Sequence, residues 1–469
     1  MVKLIIDNKP VEAAEGTTVL QAAETVGIHI PRFCYHKHLT IAGNCRLCMV
    51  EIEGAKGPVI SCKEPVRDGM VVHTDSELAK MARADTLEFV LRNHPLDCPV
   101  CDQAGECRLQ DYYFDHSLRP SRLVDPKVHK PKALRIGPHV MLDAERCVEC
   151  SRCVRFCEEV AGVHEIGFTE RGDHSTIGIA AGSSLSNPYS LCTVDLCPVG
   201  ALTSVEFRFK KRVWFLKSTP SICLGCATGC NIWIDHDDLI VYRFRPRAND
   251  SVNKEWLCDV GRMTYSNLRP ENRILEPQIR QCGGFVAAGW SDAASRVAGL
   301  IRAGNASEIV CVLSAGASEE ENAALAEFGR GLKDAAKIAW SGADDEPAFG
   351  DAILRSVDRN PNRAGVTKTA AARLANLKKG AGYIILNGLS RDDAVAMASS
   401  APAWTAVIAS NSIAEGWVDM LLPKATHAEQ DGTFINRQGT AQRAAKAFEP
   451  LGQSLTVETI VKRLSTALE

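Results

Sequence analysis

Apolar and polar residues alternate from the first positions of the chain. Val2–Ile6 has the period of two of a strand, Asp7-Asn8-Lys9-Pro10 is a turn, and Val11–Ala13 begins the return strand. A short helix follows over Val19–Val26, with Thr17 or Thr18 as its cap and Gly27 as its stop. Residues 34–48 read as a loop, after which Cys48–Ile52 resumes a strand. The period then changes. Between Glu77 and Arg92 the apolar positions Leu78, Met81, Ala82, Leu87 and Leu91 recur near 3.6 residues, which predicts a helix. Four prolines and many basic side chains make 116–140 a connection, and 141–211 carries short elements. Residues 212–270 read as strand-rich, with strands at Val213–Leu216 and Asn231–Ile234.

From about residue 271 the pattern alternates Ala-rich helices with short apolar strands. Asp292–Arg302 and Ser318–Leu332 are the helices; Ile309–Leu313, Tyr383–Leu386 and Ala406–Ala409 are the strands. That alternation predicts an open α/β domain with parallel strands. No fixed-period repeat or low-complexity tract is present. A chain of 469 residues is expected to fold as about three to five domains. The net charge of −3 argues against a nucleic-acid binder. The N-terminus lacks the apolar core of a secretory signal, and no run of about 18 apolar residues exists to span a bilayer. Membrane contact is therefore expected only through partner subunits.

Cysteine changes this picture most. Of 19 cysteines, 17 fall within the first 258 residues, and most form four sets of soft or borderline ligands. Disulfides fit poorly with a long chain lacking an export signal. Four-ligand sets hold iron–sulfur clusters, and zinc is the competing metal.

The first set, Cys34, Cys45, Cys48 and Cys62, lies on a loop plus one strand beyond it, as a β-grasp ferredoxin holds a [2Fe–2S] cluster. The second, His94, Cys98, Cys101 and Cys107, substitutes one imidazole for a thiolate. With no fourth cysteine nearby, His94 is expected to ligate a [4Fe–4S] cluster and to raise its potential. The third begins in a C-x2-C-x2-C-x3-C run, with Cys147, Cys150 and Cys153 joined by Cys197, which precedes Pro198 as in bacterial ferredoxins. The reciprocal cluster would need thiolates at 187, 190 and 193, which are Asn, Ser and Thr. Cys157 and Cys192 therefore read as remnants, small buried residues without a metal. The fourth set is Cys223, Cys226, Cys230 and Cys258, where glycines let the backbone wrap a bulky cluster.

Anionic clusters call for compensating charge, and Arg46, Arg108, Arg152 and Arg155 stand beside the cysteines; solvated loop charges are the other reading. No G-x-G-x-x-G or Walker pattern occurs, so NADH and flavin sites are expected on other chains.

In order and spacing, residues 1–270 resemble the large iron–sulfur subunit of the complex I-type NADH:quinone oxidoreductases. The resemblance includes Arg46, the Cys197-Pro198-Val199-Gly200-Ala201-Leu202 segment and the fourth set, which only some members carry. It implies an electron-relay subunit, part of a respiratory translocase, with no complete substrate site of its own. Its partners would be a flavin/NADH-binding subunit and downstream iron–sulfur subunits, at the cytoplasmic side of the inner membrane. The equivalent subunit of a soluble NAD-linked hydrogenase or formate dehydrogenase is the alternative. The first three sets would be relay centres and the fourth a structural or vestigial one.

The stretch Val418–Pro423, followed by Glu429–Asn436, resembles the molybdopterin oxidoreductase domain. At fewer than about 200 residues, and with no cysteine after Cys311, it is expected to bind no molybdopterin; Cys282 and Cys311 read as ordinary cysteines. The expected architecture is thus multidomain, α+β and α/β. It comprises a [2Fe–2S] ferredoxin-like domain (1–78), a histidine-plus-three-cysteine [4Fe–4S] domain (79–137) and a [4Fe–4S] ferredoxin-like domain (138–215). A molybdopterin-oxidoreductase-type [4Fe–4S] domain (216–272) and a shortened, cofactor-free α/β domain (273–469) complete it.

Overall fold

The computed structural model describes residues 1–117, 120–304, 306–370, 372–413 and 415–469. The chain divides into two units, Met1–Phe215 and Leu216–Glu469. Leu118 and Arg119 of the connecting segment lie outside the described residues.

The first unit opens with a five-stranded sheet, in spatial order Lys9–Ala13, Val2–Ile6, Val71–His73, Met49–Ile52, Val59–Ile60. Val2–Ile6 pairs antiparallel with Lys9–Ala13 and parallel with Val71–His73. The hairpin turns because Asp7 and Asn8 adopt left-handed backbone (φ 47° and 63°), which short polar side chains tolerate. Leu4, Ile6, Val11 and Ala13 face inward onto the helix Val19–Thr25, which buries Val19, Leu20, Ala22 and Ala23. Each larger aliphatic side chain among them contributes about 1.5–3 kcal/mol through burial. Thr18, not Thr17, caps that helix, in a capping box with Gln21.

A 17-residue helix, Glu77–Asn93, then packs on the strand Met49–Ile52 and delivers the chain to His94. Its buried face differs from the expected one: Ala79, Arg83 and Leu87 are inside, and Met81 is exposed. Arg83 lies on that face because its guanidinium satisfies the carbonyls of Met49 and Thr74. Short elements complete the unit, among them the helices Arg108–His116, Arg152–Phe156 and Cys192–Leu196 and the sheet Leu202–Ser204, Val140–Leu142, Leu134–Arg135. Val213–Phe215, expected as a strand, is a 3-10 turn. Arg212 anchors it to the carbonyls of Pro99 and Cys101, and Val213 and Trp214 pack over Gly105 instead of pairing along a sheet.

The second unit begins with an antiparallel sheet of Lys217–Ile222, Asn231–Asp237 and Ile240–Pro246. Beyond it lies a seven-stranded sheet in the order Gly284–Ala287, Gln278–Gln281, Met420–Pro423, Trp404–Ala409, Gly382–Leu386, Ile309–Ser314, Lys337–Ser341. The last five strands are mutually parallel, and the first two form an antiparallel hairpin on their edge. Gly382–Leu386 and Trp404–Ala409 are buried along their whole length, as strands covered on both faces must be. The helices Trp290–Arg302, Glu319–Gly331 and Val457–Leu468 contribute to one of the two clusters of buried apolar side chains on this sheet. Among the described residues no helix is long and apolar enough to cross a membrane.

Candidate metal centres

The first set is built by a loop and the hairpin after it. Ser61 donates twice to the Cys48 carbonyl, from its N–H (3.0 Å) and its Oγ (2.8 Å), which seats Cys62 beside Cys48. The four sulfurs hydrogen-bond among themselves, Cys34 with Cys45 and Cys62, and Cys48 with Cys62. These bonds lower the pKa of Cys34 and Cys48 and raise that of Cys45 and Cys62. The Phe33 N–H points at Cys45 Sγ (3.4 Å), a further donor for negative charge on sulfur.

The second set lines a cavity of about 1150 Å³ with His94, Cys98, Cys101, Cys107 and Gly200 on its walls. Cys107 is the N-cap of the helix Arg108–His116, where the N–H groups of Leu109 and Gln110 favour negative charge on its sulfur. Burial still pushes that thiol up to about 11. Burial drives His94 down to about 4, so the ring is neutral at pH 7, and its buried Nδ1 has no hydrogen-bond partner. A neutral imidazole with an orphaned nitrogen is the state a metal requires. Cys98 stands exposed at the rim.

In the third set Cys147, Cys150, Cys153 and Cys197 line one small cavity. Burial raises all four thiols, Cys150 to about 11. Backbone N–H groups of Val199, Ala201 and Leu202 aim at Cys197, and that of Glu149 at Cys147 (3.4 Å). Thiols packed this way are costly as bare anions and become compatible with burial once a metal shares their charge. Cys157 and Cys192 are fully buried; the Cys157 thiol, raised to about 12 by burial, is hydrogen-bonded to Asn187.

The fourth set sits between strands of the second unit. Cys223 follows Lys217–Ile222, Cys230 precedes Asn231–Asp237, and the Cys223 N–H donates to the Cys230 carbonyl (2.8 Å). Cys258 caps the helix Asp259–Met263 and accepts from the Gly261 N–H at 3.3 Å. A Cβ on Gly261 would lie 2.8 Å from Cys223 Sγ and 3.2 Å from Cys258 Sγ, so only glycine lets these sulfurs approach. The intervening loop is fastened to distant chain. The Ala227 N–H donates to the Asp358 carbonyl (2.9 Å), Arg359 to the Gly225 carbonyl (3.0 Å) and Gln442 to that of Gly229 (2.9 Å). Cys311 is a buried strand residue and Cys282 is exposed.

Among the described residues no group of three or more His, Cys, Asp or Glu side chains is arranged to hold a metal ion.

The four arginines separate into two kinds. Arg46 and Arg108 point to solvent, whereas Arg152 and Arg155 are half-buried and donate to backbone carbonyls of Tyr35, Leu196, Cys34 and Cys150. Sequence reasoning missed Arg146, which is 3% exposed and pairs with Asp97 (2.6 Å) and Asp143 (3.3 Å) between the second and third sets. Its position directly before Cys147 was the available signal. One apolar cluster, containing Phe33, Leu47, Leu87, Leu109, Tyr112 and Val199, packs cysteines from the first three sets together.

Comparison with known proteins shows an iron–sulfur protein and gives its family. Residues 1–77 match the 2Fe-2S iron-sulfur cluster binding domain, and 83–122 the NADH-ubiquinone oxidoreductase-G iron-sulfur binding region. Residues 137–203 match the NADH-quinone oxidoreductase subunit 3 ferredoxin-like domain, and 216–266 the NADH-ubiquinone oxidoreductase NDSU1/NuoG-like 4Fe-4S domain. The G subunit of NADH-quinone oxidoreductase from Rickettsia conorii is 43% identical over 68% of this chain and 47% of its own. The mitochondrial NADH dehydrogenase [ubiquinone] iron-sulfur protein 1 of Solanum tuberosum is 43% identical over 70% and 44%. A solved NAD+-reducing [NiFe]-hydrogenase chain shares 28% identity over 45% of this chain and 91% of its own, with a TM-score of 0.41. The chain belongs to the family of NADH-quinone oxidoreductase G subunits, with a [2Fe–2S] domain and [4Fe–4S] domains. It spans about half the length of the curated relatives it matches.

Proposed function

We propose that this chain relays electrons from an NADH/flavin subunit toward quinone within a complex I-type dehydrogenase. It holds one [2Fe–2S] cluster on Cys34, Cys45, Cys48 and Cys62. Three [4Fe–4S] clusters sit on His94 with Cys98, Cys101 and Cys107, on Cys147, Cys150, Cys153 and Cys197, and on Cys223, Cys226, Cys230 and Cys258. The observation that carries the reading is the shared apolar cluster, in which Cys34, Cys107 and Cys150 pack around common side chains. Clusters accept and release single electrons at nearly fixed geometry. Apart from Cys98 at the cavity rim, the chain's own residues bury or half-bury the cysteines, donate N–H bonds to several sulfurs and hold the three sets around one apolar core.

Partners are the flavin-bearing subunit on one side and further iron–sulfur subunits on the other, with membrane contact only through them. The fourth set lies in the second unit, where its loop is bound to Leu354, Asp358, Arg359, Arg437 and Gln442. That placement supports a structural centre rather than a relay. The five domains fall at 1–78, 79–137, 138–215, 216–272 and 273–469, the last without a pterin.

The test is metal analysis with EPR on anaerobically purified protein. About fourteen iron atoms with matching sulfide, and signals of one binuclear and three cubane centres, are expected. About four zinc ions and no sulfide would refute the reading.

A further inference from the structure

Arg155 is not one of the proposed ligands, yet it binds the backbone of two of the proposed ligand loops. The helix Arg152–Phe156 carries it one turn beyond Cys150. Its Nη2 donates to the Cys34 carbonyl at 2.5 Å and to the Cys150 carbonyl at 3.4 Å. One nitrogen therefore joins the backbone of a first-set residue to that of a third-set residue. Nη1 donates to the Thr40 carbonyl and Nε to Ser151 Oγ at 3.0 Å, which fixes the fork. The surrounding bonds tie the same two segments. Arg152 donates to the Tyr35 carbonyl (2.6 Å), Asn44 to the Glu149 carbonyl (3.0 Å) and the Thr40 N–H to Glu159 (2.8 Å).

Among the described residues Arg155 has no carboxylate partner, since the nearby Glu159 is engaged by Thr40. Its positive charge is aimed at the two ligand loops and is not cancelled by an ion pair. A centre that gains an electron becomes more negative, and a fixed cation in a half-buried site stabilises that state. A cation reaching two centres favours reduction of both.

We propose that Arg155 is a positioning residue that raises the reduction potentials of the first-set and third-set centres together. When one electron leaves one centre and enters the other, the stabilisation lost at the first is regained in large part at the second. Arg155 thus makes both centres easier to reduce while changing the step between them little. This rests on the ligand assignment proposed above for those two sets.

The experiment is an EPR-monitored redox titration of the whole chain, purified anaerobically, comparing the parent with R155Q and R155K. Both potentials fall in R155Q, and both return toward the parent in R155K. If R155Q loses iron, R155K decides: retained iron with parent-like potentials supports the role, and retained iron with fallen potentials, or loss of iron from both variants, overturns it. A shift at one centre alone, or none at either with iron intact, also overturns it. A parent chain lacking the binuclear signal would instead defeat the ligand assignment.

Discussion

A single methyl group at Gly200 offers a sharp test of how the second cage is built. Gly200 follows the Cys197-Pro198-Val199 segment of the third set, yet its α-carbon faces the second. A Cβ placed there would stand 2.3 Å from Cys101 Sγ and 3.1 Å from Gln103 Cβ. Ordinary contacts of this kind are about 3.5–4.0 Å. The sulfur must therefore retreat by more than about 1 Å, roughly twice the error of about 0.5 Å that a functional constellation tolerates. Overpacking of this sort costs about 1–3 kcal/mol, which at 1.4 kcal/mol per decade is roughly a 5- to 150-fold loss in occupancy of the correct geometry. Gly200→Ala should take iron from about fourteen to about ten atoms per chain, or shift the EPR signal of the second centre, with the other signals intact. Gly299→Ala is the control: it lies inside the helix Trp290–Arg302 with nothing within 4 Å, so it should stabilise slightly, by up to about 1 kcal/mol. Full iron content and an unchanged spectrum in Gly200→Ala would refute the reasoning.

The fourth set should matter for folding more than for turnover. Cys226→Ser is expected to lower yield or assembly while leaving NADH-driven rates per assembled complex near the parent value; normal assembly with lost transfer would count against it. Acid sensitivity should trace to His427, whose buried ring is held down to about 4 and whose Nε2 has no partner. Because the unfolded chain protonates near 6.5, the ring's contribution, on the order of 3 kcal/mol, is present above that pH and disappears as pH falls toward 4. Urea unfolding between pH 7 and 5 should show that slope, and His427→Gln should flatten it.

Which cysteines gather was legible because their spacing is local: Cys147, Cys150 and Cys153 stand together, as do Cys223, Cys226 and Cys230, and the second set adds His94 just before its cysteines. The strand Val2–Ile6, the helix from Glu77 and the parallel strands near 309, 383 and 406 were legible from period alone. Lys337–Ser341 and the hairpin Gln278–Gln281 with Gly284–Ala287 escaped because each is short and carries charged or small residues that dilute the apolar signal. Met420–Pro423 was noticed for its resemblance, but a four-residue run ending in proline does not announce a strand. Val213–Phe215 misled in the opposite sense, since β-branched and aromatic residues suit a strand and here serve as a lid on Gly105. Arg83, Arg146 and Arg155 could not be placed from sequence, because what distinguishes them is which carbonyl or carboxylate the fold sets opposite their guanidinium groups.

The fastening of the loop after Cys223 has a consequence for the order in which the chain matures. Synthesis runs from the N-terminus, and domains generally fold as they emerge. All ligands of the first three sets have left the ribosome by residue 197, and the bonds that hold them lie within the first 215 residues. The fourth loop is different, for Ala227 waits for the carbonyl of Asp358 and the N–H of Arg437, and Gly229 waits for Gln442. Its cysteines are thus exposed on the nascent chain for about two hundred residues of translation. On the ligand assignment proposed above, the first three sets are complete early, whereas the fourth closes only after residue 442 has emerged.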